Sequence, residues 1–183
     1  IQNLTDITNL SIPKITDDEA INLITTITYD EIKKALFDLN PDSVGGPDGF
    51  NTKFFTTTWS TIDVTFVKAI KYFFSTNILL RGINATNIAL IPKNDSPTSV
   101  THYRPISCCN VTYRCITKIL ANRLKPVLNS IISPNQTAFL HGRNITDNIL
   151  LTHELLKGYN HTNISPRCMM KLDIQKAFDS IHW

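Results

Sequence analysis

The chain has 183 residues, of which 42% are hydrophobic and 18% are charged. This length suffices for one sizeable domain or for part of a larger one, and the composition excludes general disorder. The sequence shows neither a secretory signal nor an apolar run long enough to cross a bilayer, so an intracellular protein with no membrane partner is expected.

The formal net charge of +3 hides an uneven distribution. Residues 1–42 carry three basic and eight acidic side chains, whereas residues 43–183 carry fifteen basic and seven acidic ones. From Arg81 to Arg143 there are eight basic residues and one acid, Asp95. This stretch is where a polyanion would bind, and an ordinary solvated basic surface explains the charge alone equally well.

None of the four cysteines belongs to a Cys-x-x-Cys pair. Because structural zinc sites usually need that spacing, free thiols in a reducing compartment are favoured over a metal site. The cysteines are Cys108, Cys109, Cys115 and Cys168.

The N-terminal third is predicted to hold a lead-in, a helix and a loop. Residues 1–27 lack core-forming periodicity and predict a loosely organised lead-in. Thr28 and Glu31 are spaced as in a capping box, in which Glu31 reaches back to the cap. The glycine-rich residues 44–49 predict an irregular loop. The apolar stripe of the capped helix comprises Ile32, Ala35, Leu36 and Leu39.

A second helix and a β-hairpin are predicted next. Aromatic residues recur at helical spacing over about residues 58–75, and we interpret them as core packing and not as a base-stacking platform. Residues 87–91 predict a short buried strand, and residues 93–101 predict a hairpin tip. Residues 103–107 predict the returning strand, which Pro105 places at a sheet edge because proline has no N–H.

Two more helices and a final strand complete the expected order. A helix is predicted over about residues 111–124 and another over about 146–156. Residues 168–173 predict a compact apolar strand that ends in Asp173. The fold class is therefore α+β, helix-rich with a short β-hairpin. On the third helix the expected buried side comprises Ile116, Ile119, Leu120 and Leu124. Its expected polar side comprises Arg114, Lys118, Arg123 and Lys125.

Seven short stretches follow one another in a fixed order. They are GPDGF at 46–50, LIPK at 90–93, YRPIS at 103–107, LANRL at 120–124, PNQTAF at 134–139, GR at 142–143 and KLDIQKAFD at 171–179. Each is weak alone, but together and in register they resemble the reverse transcriptase domain of LINE-type (non-LTR) retrotransposons, of the sort abundant in plant genomes. The resemblance runs from about Ile12 to Trp183.

The resemblance implies a fragment of a right-hand RNA-directed DNA polymerase. Residues 1–27 would be a connector, and residues 28–183 a partial domain with the fingers and the first palm strand. The domain would stop before the Asp-Asp motif and the thumb, so this fragment alone is expected not to polymerise. The complete enzyme would act in the nucleus or cytoplasm on an RNA template, a DNA primer and deoxynucleoside triphosphates, with Mg²⁺ in a two-metal nucleotidyl transfer.

The resemblance also implies site residues. Asp173 would be the catalytic metal ligand, joined by the backbone carbonyl of Ile174, because hard cations prefer oxygen ligands. Phe178 would pack beneath the incoming sugar, and Lys93 and Arg104 would bind its triphosphate. The structural alternatives are a capping Asp, a core Phe and two exposed hairpin charges.

A further set of residues would contact the nucleic acid. The set combines a template-side segment with a basic face of the third helix, which would add phosphate contacts. Its members are Gln136, Gly142, Arg143, Arg114, Lys118 and Arg123. The loop at residues 43–49 departs from the family pattern, since a lysine and a proline are missing and any phosphate contact of that lysine is lost.

Two other functions are weighed against this interpretation. A catalytically dead remnant would act at most as a basic nucleic-acid-binding module. An unrelated phosphohydrolase with a strand-end Asp is disfavoured, because that class usually has Asp-x-Asp and here Gln175 occupies the second position.

Overall fold

This computed structural model describes residues 13–140, 142–157, 159 and 170. The chain divides after Ser133 into two compact units. The first unit contains α1 (Asp17–Ile24), α2 (Tyr29–Phe37), α3 (Thr52–Thr57), α4 (Trp59–Thr76), α5 (Arg81–Asn84), β1 (Thr86–Pro92), a 3-10 turn (Val100–His102), β2 (Tyr103–Cys109) and α6 (Val111–Ile131). The second unit contains α7 (Ile145–Leu156). In the described part, none of the helices has the length and apolar character needed to span a bilayer.

Helix α1 lies within the lead-in, where no helix was predicted. It begins with a capping box, in which Thr16 N–H donates to Glu19 Oε2 at 2.8 Å and Glu19 N–H donates to Thr16 Oγ1 at 3.3 Å. The acids of its first turn also suit the positive end of the helix dipole. Helix α1 buries no residue, which is why hydrophobic periodicity did not reveal it. The division of the chain at residue 27 stays a prediction.

Helix α2 is confirmed, but its predicted capping box is only half correct. Thr28 Oγ1 accepts the N–H of Glu31 at 3.1 Å, as expected. The Glu31 carboxylate, however, binds the guanidinium of Arg123 through Nε at 2.7 Å and Nη2 at 2.8 Å. A two-pronged, charge-assisted contact is stronger than a single bond to the cap N–H, so the carboxylate faces α6 instead.

The core of the first unit lies where α2, α4 and α6 meet. Ile32, Leu36, Ile70 and Ile119 are completely buried there. Cys115 lies among them, and its Sγ is 3.8 Å from the carbonyl oxygen of Ile32. Burial raises the pKa of this thiol to about 12, so it remains protonated at neutral pH. Cys108 and Cys109 are half-buried free thiols, and Cys168 lies outside the described residues.

The second predicted helix is confirmed as α4, and its aromatic residues pack as expected. Trp59 and Phe66 are buried, with ring centroids 5.9 Å apart. The indole N–H of Trp59 donates to the hydroxyl of Tyr29 at 3.1 Å, which in turn donates to Asp63 at 2.9 Å. Helix α3, immediately before α4, was not predicted.

The third predicted helix is longer and buries a narrower stripe than expected. Helix α6 continues through Pro126 to Ile131, and Val127 is buried in that extra turn. Leu120 and Leu124, predicted to be buried, are 41% and 46% exposed. Their rotation about the helix places them beside the stripe formed by Val111, Cys115, Ile116 and Ile119.

The β-hairpin forms as predicted, with β1 and β2 antiparallel and Ile91 opposite Arg104. The prediction of a buried strand is wrong, because six of the seven residues of β1 are exposed. In the part of the chain that the structure describes, the sheet has only these two strands. The observed class, helices with a two-stranded antiparallel sheet, agrees with the predicted α+β class.

The described part of the second unit contains a loop followed by α7, which matches the predicted fourth helix. Its loop contains two residues of positive φ, Phe139 at 65° and Gly142 at 82°. The amide of Asn148 on α7 donates to the carbonyl of Asn135 at 3.0 Å and to the hydroxyl of Thr137 at 2.9 Å. These bonds hold the loop against its own helix.

The Glu31–Arg123 pair predicts how the first unit responds to mutation and pH. Arg123→Ala should lower the free energy of unfolding by about 2 kcal/mol, because the Glu31 carboxylate and the carbonyls of Leu23 and Thr25 lose a donor. Lys125→Ala, which removes an exposed charge on the same helix, should change it by less than about 0.5 kcal/mol. Urea denaturation at pH 7 measures both, and equal effects would contradict a specific role of the pair.

The same pair should make stability depend on acidity. The hydrogen bond from Arg123, followed by its charge, holds the pKa of Glu31 below its ordinary value, against the opposing effect of burial. A carboxyl group whose pKa is depressed in the folded state contributes stability at pH values above its unfolded pKa, about 4.3. That contribution is lost as the pH falls through the folded pKa. The difference between wild type and Arg123→Ala should therefore shrink on titration from pH 6 to pH 3.

Candidate functional site

The hairpin presents Lys93 and Arg104 near its tip. Arg104 lies opposite Ile91 in the β1–β2 pair. The backbone pairing extends beyond Pro92, because Lys93 N–H donates to His102 O at 2.7 Å. Side chains alternate along a strand, so Lys93, two residues beyond Ile91, continues the face that carries Arg104. Both cations are exposed. The structure thus places the two predicted triphosphate ligands on one face of the hairpin.

Lys93 already has a local partner, since its ammonium donates to the carbonyl of Thr101 at 2.8 Å. That carbonyl is a neutral acceptor on the same hairpin. A phosphate oxygen would be a stronger acceptor, because it adds the attraction between opposite charges to the hydrogen bond. The contact therefore keeps Lys93 beside the tip without preventing it from binding an anion.

The base of the hairpin is tied to the glycine-rich loop by Asn110, which sequence reasoning missed. Asn110 is 4% exposed and lies between β2 and α6. Its Oδ1 accepts the N–H of Asp48 at 3.2 Å, and its Nδ2 donates to the carbonyls of Gly82 at 2.9 Å and Ile83 at 3.3 Å. The Asn amide combines an acceptor oxygen with an NH2 group that can donate twice, and an Asn between a strand and a helix was the available signal.

Gly46 of the glycine-rich loop lies directly against Asn110. A Cβ added to Gly46 would clash with the side chain and backbone nitrogen of Asn110 and lie 2.7 Å from its Cα. Gly49 adopts φ +79°, a conformation that glycine accepts without strain. The loop motif therefore has a packing role in this structure.

Arg114 also supports that loop. Its Nη1 donates to Ser43 Oγ at 2.6 Å and its Nη2 to the carbonyl of Val44 at 3.3 Å. Its Nε is buried without a hydrogen-bond partner among the described residues. The guanidinium thus faces its own protein, whereas the sequence placed it on a phosphate-binding face.

The predicted single basic face of α6 is wrong. Arg114 and Arg123 are nine residues apart, which is about two and a half turns, so they lie on opposite sides of the helix. Arg123 is bound to Glu31 and to the carbonyls of Leu23 and Thr25. Lys118 is half-buried. Phosphate contact by any of these residues stays a prediction.

In the second unit, the structure brings the predicted template-side residues together. The Nη1 of Arg143 donates to the carbonyl of Gln136 at 2.7 Å. Gly142, which precedes Arg143, adopts φ +82°, where a side chain would be strained. The three residues therefore belong to one small loop, in which the half-buried Arg143 is tied to the backbone of Gln136.

The predicted palm residues Asp173, Ile174 and Phe178 lie outside the described residues. Among residues 13–140, 142–157, 159 and 170, no group of three or more His, Cys, Asp or Glu side chains could hold a metal ion. The assignment of Asp173 as a metal ligand stays a prediction.

Comparison with known proteins identifies related sequences. The profile of the family described as reverse transcriptase (RNA-dependent DNA polymerase) matches residues 91–183. The transposon TX1 uncharacterized 149 kDa protein of Xenopus laevis is 30% identical over 93% of this chain. The retrovirus-related Pol polyprotein from type-1 retrotransposable element R2 of Nasonia vitripennis is 30% identical over 89% of it. The corresponding type-2 element R2DM polyprotein of Drosophila melanogaster is 28% identical over 85%.

These relatives are much longer than the chain, which covers 13–15% of their lengths. Their names confirm the predicted resemblance to retrotransposon proteins. All three come from animals, and the predicted plant-like character stays a prediction.

The contact between the loop and Asn110 gives a matched pair of glycine substitutions. Gly46→Ala should destabilise the protein by about 1–3 kcal/mol, because the added methyl group overlaps Asn110. Gly82→Ala should be nearly neutral, since nothing lies within 4 Å of its added Cβ. Thermal and urea unfolding of both variants measure the difference. A neutral Gly46→Ala would show that the loop does not pack on Asn110.

Proposed function

The chain belongs to the reverse transcriptase (RNA-dependent DNA polymerase) family, and from this we propose that it is part of the polymerase domain of a non-LTR retrotransposon protein. In that domain it would form the fingers and the start of the palm of a right-hand polymerase. The β1–β2 hairpin would bind the triphosphate of the incoming deoxynucleotide. The observation that carries this proposal is the exposed pair Lys93 and Arg104, both within the matched region, on one hairpin face.

The two cations complement each other chemically. Arg104 has a planar fork that can bind two oxygens of one phosphate, and Lys93 supplies a compact charge that adapts to a neighbouring phosphate. The next residue, Pro105, restricts the backbone of Arg104 to extended conformations. The hairpin would therefore meet a triphosphate with one oriented ligand and one adaptable ligand.

The support beneath the hairpin favours this use. Because Asn110 directly follows β2 and binds both the glycine-rich loop and α5, the base of the hairpin is held to the core while its tip remains exposed. Preorganised ligands lose less entropy when the substrate binds. The hairpin could therefore place Lys93 and Arg104 against a nucleotide that also contacts other parts of the polymerase.

The catalytic part of the proposal concerns Asp173 and Mg²⁺. A carboxylate at the end of the predicted strand 168–173 would suit a hard divalent cation, and the carbonyl of Ile174 would be a further oxygen ligand. The chemistry that a bound Mg²⁺ supplies is stabilisation of the charge on the transferring phosphoryl group. Phe178 would exclude a sugar that carries a 2′-hydroxyl, and this filter belongs to the complete enzyme.

The loop of the second unit is the proposed contact with the template and primer strands. Arg143 offers a cation, and Gly142 permits close approach of a backbone. The excess of basic residues from Arg81 to Arg143 also supports a second candidate, a binding module that holds nucleic acid without catalysis. Nucleotide binding by the hairpin distinguishes the polymerase from the module, since a simple module needs no triphosphate site.

Loss of Arg104 should weaken nucleotide binding specifically. Arg104→Ala should reduce the affinity of the 183-residue chain for a fluorescent deoxynucleoside triphosphate with Mg²⁺ by about tenfold or more, the size expected for hydrogen bonds to a charged group. Lys93→Ala should give a smaller loss. Arg81→Ala removes an exposed arginine from the same unit and should leave the affinity unchanged. Equal losses in the two arginine variants, or no saturable binding by the wild type, would overturn the hairpin assignment.

Substitution of Asp173 tests the catalytic assignment. In a protein that joins this chain to the remainder of its polymerase domain, Asp173→Asn should slow Mg²⁺-dependent primer extension on RNA by about 10³ or more, equivalent to about 4 kcal/mol. Asp179→Asn is the matched control, because it removes a nearby carboxylate with no proposed metal role. If the Asp173 variant extends primers at the wild-type rate, the residue is not a metal ligand.

A further inference from the structure

Phe139 combines a strained backbone with complete exposure. Its φ of 65° lies in the left-handed region, which bulky L residues rarely adopt. Its side chain is 103% exposed, whereas the next residue, Leu140, is only 9% exposed. The left-handed turn thus separates a buried Leu from a projecting aromatic ring. Because the ring is fully exposed, its own packing does not offset the backbone strain, and strained residues cluster at ligand-binding sites.

The loop that carries this ring is braced on both sides. On one side, Arg143 donates to the carbonyl of Gln136 at 2.7 Å. On the other, Asn148 of α7 donates to Asn135 at 3.0 Å and to Thr137 at 2.9 Å. The ring is therefore presented by a hydrogen-bonded loop, and its ligand would not have to order that loop on binding.

The surroundings of the ring favour nucleic acid over a protein partner. Among the described residues of the loop between 134 and 144, Phe139 is the only large apolar side chain that is exposed, and the other exposed apolar residues of this unit begin at Ile145 on α7. Its neighbours in this loop are mainly polar, and Arg143 adds a positive charge. Protein-docking surfaces usually present contiguous apolar area. Sites for single-stranded nucleic acid instead combine separate aromatic rings with cations that follow the phosphates.

We propose that Phe139 is a stacking platform for an unpaired base of single-stranded nucleic acid. The inference rests on the proposed function, because it assigns the base-binding part of the nucleic-acid site to a residue of the second unit. Every base has a π face, so the platform would accept any sequence, with Arg143 attracting the adjacent phosphate. Duplexes would not use it, because their bases are already stacked.

Fluorescence of 2-aminopurine tests the stacking directly, since this base analogue is quenched when it stacks. The wild-type 183-residue chain is titrated with a single-stranded RNA oligonucleotide that contains 2-aminopurine, and the DNA of the same sequence is measured in parallel. Phe139→Ala should abolish the quenching and weaken binding of both oligonucleotides by about 5- to 100-fold. Phe139→Tyr should retain both signals. A loss confined to RNA or to DNA would place the ring against the sugar and overturn the proposal.

Phe139→Leu is the decisive control for the chemistry. Leucine keeps the apolar character but lacks the π face, so this variant should bind as weakly as Phe139→Ala. Leu150→Ala, which truncates an exposed apolar side chain on α7, should bind like the wild type. Wild-type binding by Phe139→Leu, or equal losses in the Leu150 and Phe139 variants, would overturn the stacking assignment.

Stability measurements separate this role from a structural one. Phe139→Gly should lose binding without lowering the melting temperature, because glycine adopts the left-handed conformation without strain. A lower melting temperature in this variant would show that the ring supports the fold and would overturn the proposal. Failure of the wild-type chain to bind any nucleic acid would instead contradict the proposed template contact itself. Binding that persists in Phe139→Ala contradicts only the stacking platform.

Discussion

The buried amide of Asn110 is the constraint on which the arrangement of the first unit depends. Its oxygen and nitrogen bind the glycine-rich loop and α5 together, while its backbone joins β2 to α6. Leaving such a buried polar group without partners costs about 1–3 kcal/mol, so these segments must meet at one point. Gly46 is required there because any side chain would overlap the amide. The contacts of Asn110 with the loop and with α5 thereby hold the end of β2 in place.

Four basic residues of the first unit fall into two groups with different surroundings. Arg114 and Arg123 bind the protein itself, the first at the glycine-rich loop and the second at Glu31 and nearby carbonyls. Lys93 and Arg104 are exposed on the hairpin. Electrostatic attraction of a polyanion depends on total charge, but specific contact requires cations that are accessible. By this criterion the hairpin is a better candidate for phosphate contact than α6.

The hairpin and the second-unit loop share one design principle. Each presents its proposed ligand-binding side chains on a short segment that is hydrogen-bonded at its base. A two-stranded hairpin is marginally stable alone, so its anchorage through Asn110 supplies what further strands would otherwise provide. In the loop, the bonds from Asn148 and Arg143 serve the same purpose. Such anchorage holds exposed side chains such as Arg104 and Phe139 on a protein with a small core.

The sequence by itself determined the family, the hairpin and most of the helices, because motif order, turn residues and hydrophobic period are local properties. It also indicated that the aromatic residues of α4 belong to the core. Tertiary structure alone decided the partner of Glu31, the exposure of β1 and the burial of Asn110. Each of these depends on which segments meet in space. A polar side chain forms its strongest available hydrogen bond or ion pair with whatever group the fold brings near it. That group can be distant along the chain, as Arg123 is 92 residues from Glu31.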